Sequence, residues 1–170
     1  MDRTELERQL ERLHADSWGW ALVCTGRDRA LAEDALQNAY LRVLSSRVRF
    51  EGRSRFKSWL FGVIRMTAME ELRRMNRWRA RLGETDAIEA ADPAPGADVT
   101  TEEAERSAAL VAAMRALSPR QREVLQLVFY HGMTIEEAAD LMRISLGSAR
   151  THYERGKKAL AEQINHVDAR

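Results

Sequence analysis

The sequence MTIEEAADLMRISLGSARTHYERGKKAL, residues 133–160, decides the fold of the C-terminal part of the chain. Thr134 can cap a short helix, because its hydroxyl can accept a hydrogen bond from a first-turn amide. Residues 143–145 interrupt the helical spacing of apolar side chains and predict a turn, after which Ser145 can cap a second helix. Two helices joined in this way are typical of a helix-turn-helix unit, in which small alanines let the helices approach. The residues predicted to pack inward are Ile135, Ala138, Ala139, Met142, Leu146, Ala149, Tyr153 and Leu160.

The second helix of this unit carries polar and cationic side chains away from its apolar stripe. They are Ser148, Arg150, Thr151, His152, Arg155, Lys157 and Lys158. On an arbitrary helix such residues more often form a solvated face, with Glu154 as an ion-pair partner. In a helix-turn-helix unit, cations near the start of the second helix can enter the major groove, where Arg reads guanine edges and Ser or Thr binds phosphate. We therefore predict that this face contacts DNA, with the solvated face as the alternative.

Charge is segregated along the chain, although the formal net charge is only +1. Residues 42–81 contain twelve cations and three acids, whereas residues 82–105 contain eight acids and no Lys or Arg. The acidic stretch is also rich in Ala, Pro and Gly, a composition that cannot repay the entropy cost of ordering. It predicts a flexible linker over 82–105 between two domains, 1–81 and 106–170.

Apolar spacing predicts an all-α protein, because no convincing strand alternation is present. Residues 30–44 and 56–76 read as amphipathic helices joined by a loop over 45–55, and residues 117–129 read as a third. Pro119 suits the first turn of that third helix. Hydroxyl residues with Glu or Gln three positions later predict four helix starts. The pairs are Thr4 with Glu7, Thr100 with Glu103, Ser118 with Gln121, and Thr134 with Glu137.

Several classes of protein and site are excluded by composition. No apolar stretch approaches the roughly 20 residues of a membrane span, and the charged N-terminus has no signal-peptide core, so we expect a soluble cytoplasmic protein. Cys24, the only cysteine, lies in an apolar run and is predicted to be a core thiol. No paired carboxylates, Ser/His/Asp set, metal-ligand cluster or phosphate-binding glycine loop is present. We expect neither an enzyme nor a cofactor, metal or small-molecule substrate.

Both halves of the chain resemble bacterial extracytoplasmic-function (ECF) sigma factors, the small alternative σ subunits of RNA polymerase. Residues 117–160, LSPRQREVLQLVFYHGMTIEEAADLMRISLGSARTHYERGKKAL, resemble their region 4. Residues 32–44, AEDALQNAYLRVL, resemble region 2.2. Residues 49–79, RFEGRSRFKSWLFGVIRMTAMEELRRMNRWR, resemble the segment that melts and reads the −10 promoter element.

The resemblance implies a polymerase-binding surface on the helix over 30–44. Its members are Glu33, Asp34, Leu36, Gln37 and Tyr40, which are expected to dock on the clamp helices of the polymerase β′ subunit. Without the resemblance, the same residues would be an ordinary surface helix.

The resemblance also implies a −10 DNA-binding set. Its loop is expected to hold backbone phosphates and stack an unpaired base, which suits Arg and Phe beside a glycine. The cations of the following helix are expected to contact phosphates. Trp59 also fits the core, and Met66 stands where many family members carry Asn, whose amide hydrogen bonds Met cannot make. The base preference therefore stays open. The set is Arg49, Phe50, Arg53, Ser54, Trp59, Arg65, Met66, Arg73, Arg74 and Arg77.

The resemblance implies a non-catalytic specificity subunit that directs core polymerase to promoters. One domain would grip β′ and open −10 DNA, while the other would read −35 DNA and meet the β flap. An anti-sigma factor that covers both domains is a further expected partner. Two alternatives remain: an independent helix-turn-helix repressor, which usually needs a dimer, and a sigma-like decoy that binds an anti-sigma factor without DNA.

Overall fold

The computed structural model describes residues 1–83 and 101–168. Every regular element in these ranges is helical, which confirms the predicted all-α fold. The chain divides into two compact units, residues 1–91 and 92–170. The first unit contains α1 (Arg3–Arg12), α2 (His14–Cys24), α3 (Arg29–Leu44) and α4 (Phe56–Leu82). The second contains α5 (Thr101–Ala116), α6 (Pro119–Leu125), a π-helical turn (Gln126–Tyr130), α7 (Ile135–Met142) and α8 (Leu146–Asp168).

The core of the first unit lies where α2, α3 and α4 meet. Trp20 is fully buried, its indole stacks on Phe61 with the ring centroids 5.7 Å apart, and its Nε1–H donates to the Phe61 carbonyl at 3.0 Å. A buried indole N–H without a partner would reduce the stability gained from burying the ring. The hydrogen bond to Phe61 removes this cost at Trp20. The single cysteine, Cys24, is buried as predicted.

Small residues set the spacing of α3 in this core. Ala32, Ala35 and Ala39 are fully buried at three- and four-residue spacing, so α3 can approach α2 and α4 closely. Asn38 then donates from Nδ2 to Glu71 Oε1 at 2.9 Å, which links α3 to α4. The predicted loop over 45–55 follows, and its Gly52 has φ +75°, a backbone conformation that favours glycine.

The second unit is organised around α8. Both α6 and α7 pack on it, and Gly156 lies at the crossing of α6 and α8. An added Cβ at Gly156 would stand 3.0 Å from Leu125 Cδ1, so a glycine is what permits this approach. The predicted alanine contact is also present, since Ala149 is fully buried. The Arg122 guanidinium donates to two carbonyls in the last turn of α5, at 3.0 Å to Met114 and 3.2 Å to Arg115, and to the Leu117 carbonyl just after α5 at 3.0 Å.

The predicted helix starts have mixed outcomes. Ser118 and Thr134 each form a capping box with Gln121 and Glu137, as expected. The prediction at Thr4 was wrong, because Asp2 caps α1 by accepting from the Glu5 amide at 2.8 Å. The pair of Thr100 and Glu103 lies outside the residues whose side chains are described.

Two helices differ from the sequence-based expectation. The predicted helix over 117–129 is α6 followed by the π-helical turn, which turns the exposed Phe129 and Tyr130 outward. The helix predicted over 56–76 continues to Leu82 and is closed by Gly83 at φ +72°. In addition, α5 begins at Thr101, before the expected start of the second domain at 106.

Candidate functional site

The turn between α7 and α8 has the geometry of a helix-turn-helix unit. Arg143 ends α7 in the left-handed region at φ +55°, and the Ile144 amide donates to the Ala139 carbonyl at 3.1 Å. Ser145 then accepts a hydrogen bond from the Ser148 amide at 3.1 Å, which caps the start of α8. The two helices are therefore held at a tight corner with the start of α8 pointing into solvent.

The predicted DNA-reading side chains are only partly on one face of α8. Ser148, Arg150, Thr151, Arg155 and Lys158 are exposed and form a continuous stripe, with the exposed Glu154 among them. Two other predicted residues, His152 and Lys157, are half-buried at its two edges. Lys157 lies 4.8 Å from the Tyr153 ring centroid and pairs with Glu154 at 3.4 Å.

The exposed stripe retains its donors. Arg150 lies 3.6 Å from Glu136 on α7, but both side chains are 61% exposed, and such solvated pairs contribute only about 0–1 kcal/mol. Arg150 can therefore exchange this partner for a base edge or a phosphate. Ser145 donates to Ser148 Oγ at 2.9 Å, so the Ser148 hydroxyl keeps its own proton for another acceptor. Thr151 instead donates to the Gly147 carbonyl at 3.0 Å and must rotate to reach DNA.

On α3 the predicted polymerase-binding residues separate into exposed and buried groups. Glu33, Asp34 and Gln37 are exposed, but Leu36 is only 5% exposed and packs in the core, so its assignment to this surface was wrong. The exposed apolar side chain on the same face is Leu41, which sequence reasoning missed. It continues the four-residue spacing from Glu33 through Gln37, and that spacing was the available signal.

Tyr40, the fifth predicted residue, borders a groove between α1 and α3. The groove has a volume of about 370 Å³ and is lined by Glu7, Leu10, Glu11, His14, Tyr40 and Leu44. The Tyr40 hydroxyl lies 3.3 Å from His14 Nδ1. Burial raises the pKa of Tyr40, and the nearby Ser17 hydroxyl opposes the rise.

The loop that precedes α4 is fixed by aromatic packing. Phe50 lies with its ring centroid 5.4 Å from both Phe56 and Trp59, and those two rings are also 5.4 Å apart. All three side chains are half-buried, whereas Arg49, Arg53 and Ser54 are exposed. A base that stacks on Phe50 must therefore use the outer face of this aromatic cluster (Phe50, Phe56 and Trp59).

Along α4, helical spacing sorts the remaining predicted contacts. Trp59, Met66, Arg73 and Arg77 recur at intervals of seven, seven and four residues, so they share one face of the helix. Arg65 is only 7% exposed and faces the packed side of α4.

A buried guanidinium cannot reach a DNA phosphate, so the phosphate contact predicted for Arg65 is not supported. Arg74 is exposed and forms an ion pair with the buried Glu71. The neighbouring acid, Glu70, is paired with Arg42, which leaves little negative charge beside the shared face of α4.

Two negative findings apply to the described ranges. They contain no group of three or more His, Cys, Asp or Glu side chains arranged to hold a metal ion. None of the helices in them combines the length and the apolar character that a membrane span needs.

Comparison with known proteins identifies the family. The Sigma-70 region 2 model matches residues 10–79, and the Sigma-70, region 4 model matches residues 107–160. The ECF RNA polymerase sigma factor SigX of Bacillus subtilis is 33% identical over 141 residues, which cover 81% of this chain and 73% of that protein. The chain belongs to the ECF sigma factors. As a sigma factor, it directs RNA polymerase to specific promoters.

Other relatives agree with this assignment. The RNA polymerase sigma factor CarQ of Myxococcus xanthus is 34% identical to this sigma factor over 142 residues, which cover 84% of this chain and 79% of CarQ. The sigma factor RpoE of Bartonella quintana, solved in complex with the anti-sigma factor NepR, has the same fold. Its TM-score is 0.79 at 20% identity, over 95% of this sigma factor and 97% of RpoE.

The matched regions place the candidate surfaces of the sigma factor. Region 2 covers α3, the loop over 45–55 and most of α4, whereas region 4 covers the helix-turn-helix unit. The match to region 2 ends at residue 79, while α4 continues to Leu82.

Proposed function

We propose that the stripe of Ser148, Arg150, Thr151, Arg155 and Lys158 on α8 reads the −35 promoter element. The observation that supports this role is their shared exposure on the first four turns of a capped helix that follows a tight turn. Arg150 is the fifth residue of α8 and Arg155 the tenth, and both have the donor geometry that recognises guanine. Lys157 and His152 lie at the two edges of the stripe, where they would contact DNA phosphates.

In this proposal, region 2 binds the polymerase and contacts the −10 DNA. The exposed face of α3 docks on the β′ clamp helices and consists of Glu33, Asp34, Gln37 and Leu41. Its two acids would pair with cations of the polymerase, and Leu41 would make an apolar contact. At the loop, the DNA strand is held by Arg49, Arg53 and Ser54. The aromatic cluster beside them offers a surface on which an unpaired base can stack. Met66, Arg73 and Arg77 follow the DNA along the shared face of α4.

Region 4 also carries a surface suited to the β flap. A groove of about 520 Å³ includes Phe129 of the π-helical turn, and its lining combines four apolar side chains with two lysines and one acid. It is lined by Phe129, Glu154, Lys157, Lys158, Leu160, Ala161 and Ile164. Phe129 is 62% exposed here, which suits a partner that covers it on binding.

The proposed role needs no catalytic residue, cofactor or metal, because promoter selection is a binding function and polymerase performs the chemistry. The polymerase is cytoplasmic, so we place this sigma factor in the cytoplasm. An anti-sigma factor is the proposed regulatory partner. The support for it is the common fold with RpoE, which was solved bound to NepR.

Promoter-specific transcription tests the −35 assignment. Core polymerase is combined with the wild type or with the Arg150→Ala/Arg155→Ala double variant, and run-off transcripts and core binding are measured separately. The matched control is Arg8→Ala/Arg12→Ala on α1, which removes the same charge from two exposed positions outside every proposed contact surface.

We expect the double variant of α8 to bind core normally and to lose promoter-specific transcripts, whereas the α1 control keeps both. Unchanged transcription from the α8 variant would refute the reading role of this stripe. Core binding by the wild type without any transcript would instead favour a decoy.

A further inference from the structure

One ion pair crosses the helix-turn-helix unit, from the first turn of α7 to the second turn of α8. Arg150 Nη2 lies 3.6 Å from Glu136 Oε1, and both side chains are 61% exposed. The other two cations of the α8 stripe, Arg155 and Lys158, form no ion pair within the described ranges. Sequence reasoning assigned no role to Glu136, although it lies beside the first cation of the stripe.

The backbone that carries Glu136 is held by the capping box at the start of α7. Thr134 Oγ1 accepts from the Glu137 amide at 3.1 Å, and the Glu137 carboxylate accepts from the Thr134 amide at 2.9 Å. Glu137 is occupied in this way, so its neighbour Glu136 is the acid of this turn whose side chain can serve Arg150. The corner between α7 and α8 is fixed as described above. Only the two side chains themselves have to be oriented.

The guanidinium of Arg150 has more donors than this ion pair uses. Arginine carries five N–H donors in a planar fork, and a guanine base accepts two of them through O6 and N7. Because only Nη2 faces Glu136, Arg150 can bind a guanine while the ion pair is kept. A phosphate is a different partner, since it carries a negative charge that Glu136 repels when both approach the same guanidinium.

We propose that Glu136 is a positioning residue that directs Arg150 toward a guanine of the −35 element and away from DNA phosphates. This inference rests on the proposed function, which assigns base reading to Arg150. Orienting the long arginine side chain in advance reduces the conformational entropy that it loses on binding guanine. Repulsion between Glu136 and a phosphate weakens binding where the guanine is missing. Both effects increase the preference for guanine over the other bases.

The exposure of the ion pair sets an upper limit on its effect. A bidentate contact from arginine to guanine discriminates against a wrong base by about 5- to 150-fold. A solvated ion pair shifts an equilibrium by at most about fivefold. Removing Glu136 should therefore lower the preference for guanine by about twofold to fivefold and leave the rest of it in place.

The test measures the affinity of core polymerase, assembled with full-length sigma variants, for a promoter fragment recovered by run-off transcription. Each base pair of the −35 element is replaced in turn, and the penalty is the ratio of the dissociation constants of the substituted and original fragments. Arg150→Ala first identifies the base pair that Arg150 reads, because the penalty there is lost. Glu136→Ala and Glu136→Gln are then measured at that base pair, and Glu136→Ala is also measured in the Arg150→Ala background.

The matched control is Asp140→Ala, which removes one exposed acid from the same helix. Asp140 forms no ion pair with the α8 stripe within the described ranges, so this variant measures the general effect of removing a negative charge near DNA. Glu136→Gln keeps the shape of the side chain and remains informative if Glu136→Ala weakens the first turn of α7. Urea unfolding followed by circular dichroism checks that region 4 of each variant is folded.

We expect Glu136→Ala to lower the penalty at this base pair by about twofold to fivefold, and Glu136→Gln to change it in the same direction. On the substituted fragment, Arg150 without Glu136 can take a phosphate instead, so the slope of log affinity against log salt should become steeper by up to about 0.9. Asp140→Ala should keep the wild-type penalty. In the Arg150→Ala background, Glu136→Ala should have no further effect on the penalty.

Three results would overturn the role of Glu136 and leave the proposed function intact. They are a wild-type penalty in both Glu136 variants, an equal decrease in Asp140→Ala, and a decrease that persists without Arg150. If Arg150→Ala itself leaves every penalty of the −35 element unchanged, base reading by Arg150 is refuted, and the positioning role of Glu136 is refuted with it.

Discussion

Replacing Gly156 by alanine tests the packing that holds the helix-turn-helix unit to α6. The new Cβ would meet Leu125 Cδ1 at 3.0 Å, and Leu125 Cγ and Gln121 Cβ at 3.3 Å. Leu125 is 2% exposed and cannot swing into solvent, so the α6–α8 contact must open. Overpacking a core costs about 1–3 kcal/mol, whereas Gly→Ala in a helix gains up to about 1 kcal/mol. We expect a net destabilisation of about 1 kcal/mol.

A second substitution separates the two contributions. In a Leu125→Ala background the close contact is removed, so Gly156→Ala should gain stability by about 0.5–1 kcal/mol from helix propensity. The coupling between the two positions is then about 2 kcal/mol, well above what independent sites show. If Leu125→Ala leaves the unit unfolded, Leu125→Val provides the milder background.

Urea unfolding of the full chain measures both changes. All four tryptophans lie at positions 18, 20, 59 and 78, so tryptophan fluorescence follows only region 2 and serves as an internal control. Far-ultraviolet circular dichroism follows both units. A Gly156→Ala variant that is as stable as the wild type, or a coupling below about 0.5 kcal/mol, would refute the argument from close approach.

Three further predictions concern buried and exposed side chains. Leu41→Asp should weaken core polymerase binding at least tenfold in a pull-down titration without changing the stability of region 2. Leu36→Asp should instead unfold region 2, because it buries a charge. Equal effects of the two variants would contradict the assignment of Leu41, rather than Leu36, to the exposed α3 face. Arg122→Ala should destabilise region 4 by about 2–4 kcal/mol in urea, because three carbonyls lose a charged donor, and a loss below about 1 kcal/mol would contradict the capping role. The pKa of Tyr40 is raised by burial, so the folded state favours the neutral phenol; this stability is complete below about pH 10 and is lost as the pH rises further. Tyr40→Phe should reduce that alkaline loss in an unfolding series, and identical pH profiles would contradict it.

Local sequence was sufficient for the features that depend on neighbouring residues. The capping boxes at Ser118 and Thr134 and the turn before Ser145 each depend on residues within three positions. The error at Thr4 arose where two capping residues stand two positions apart, and Asp2 took the role instead. Nothing local decides between two such neighbours.

Features that depend on tertiary packing were not accessible in the same way. Leu36 and Leu41 both fit an amphipathic helix, and only the side of α3 that meets α4 determines which one is buried. The sequence does not distinguish Arg65 from the exposed arginines of α4, because only the packing of the helix buries it. In the sequence, Gly156 only predicts a less stable helix. The structure shows that Leu125 packs too close to this position for a larger residue.

The most direct test of the central claim is run-off transcription on genomic fragments with purified core RNA polymerase, with and without this sigma factor. We predict discrete start sites that appear only when the sigma factor is added, with upstream sequences shared among them at the −10 and −35 positions. An identical transcript pattern with and without the protein, despite its binding to core polymerase, would contradict the account.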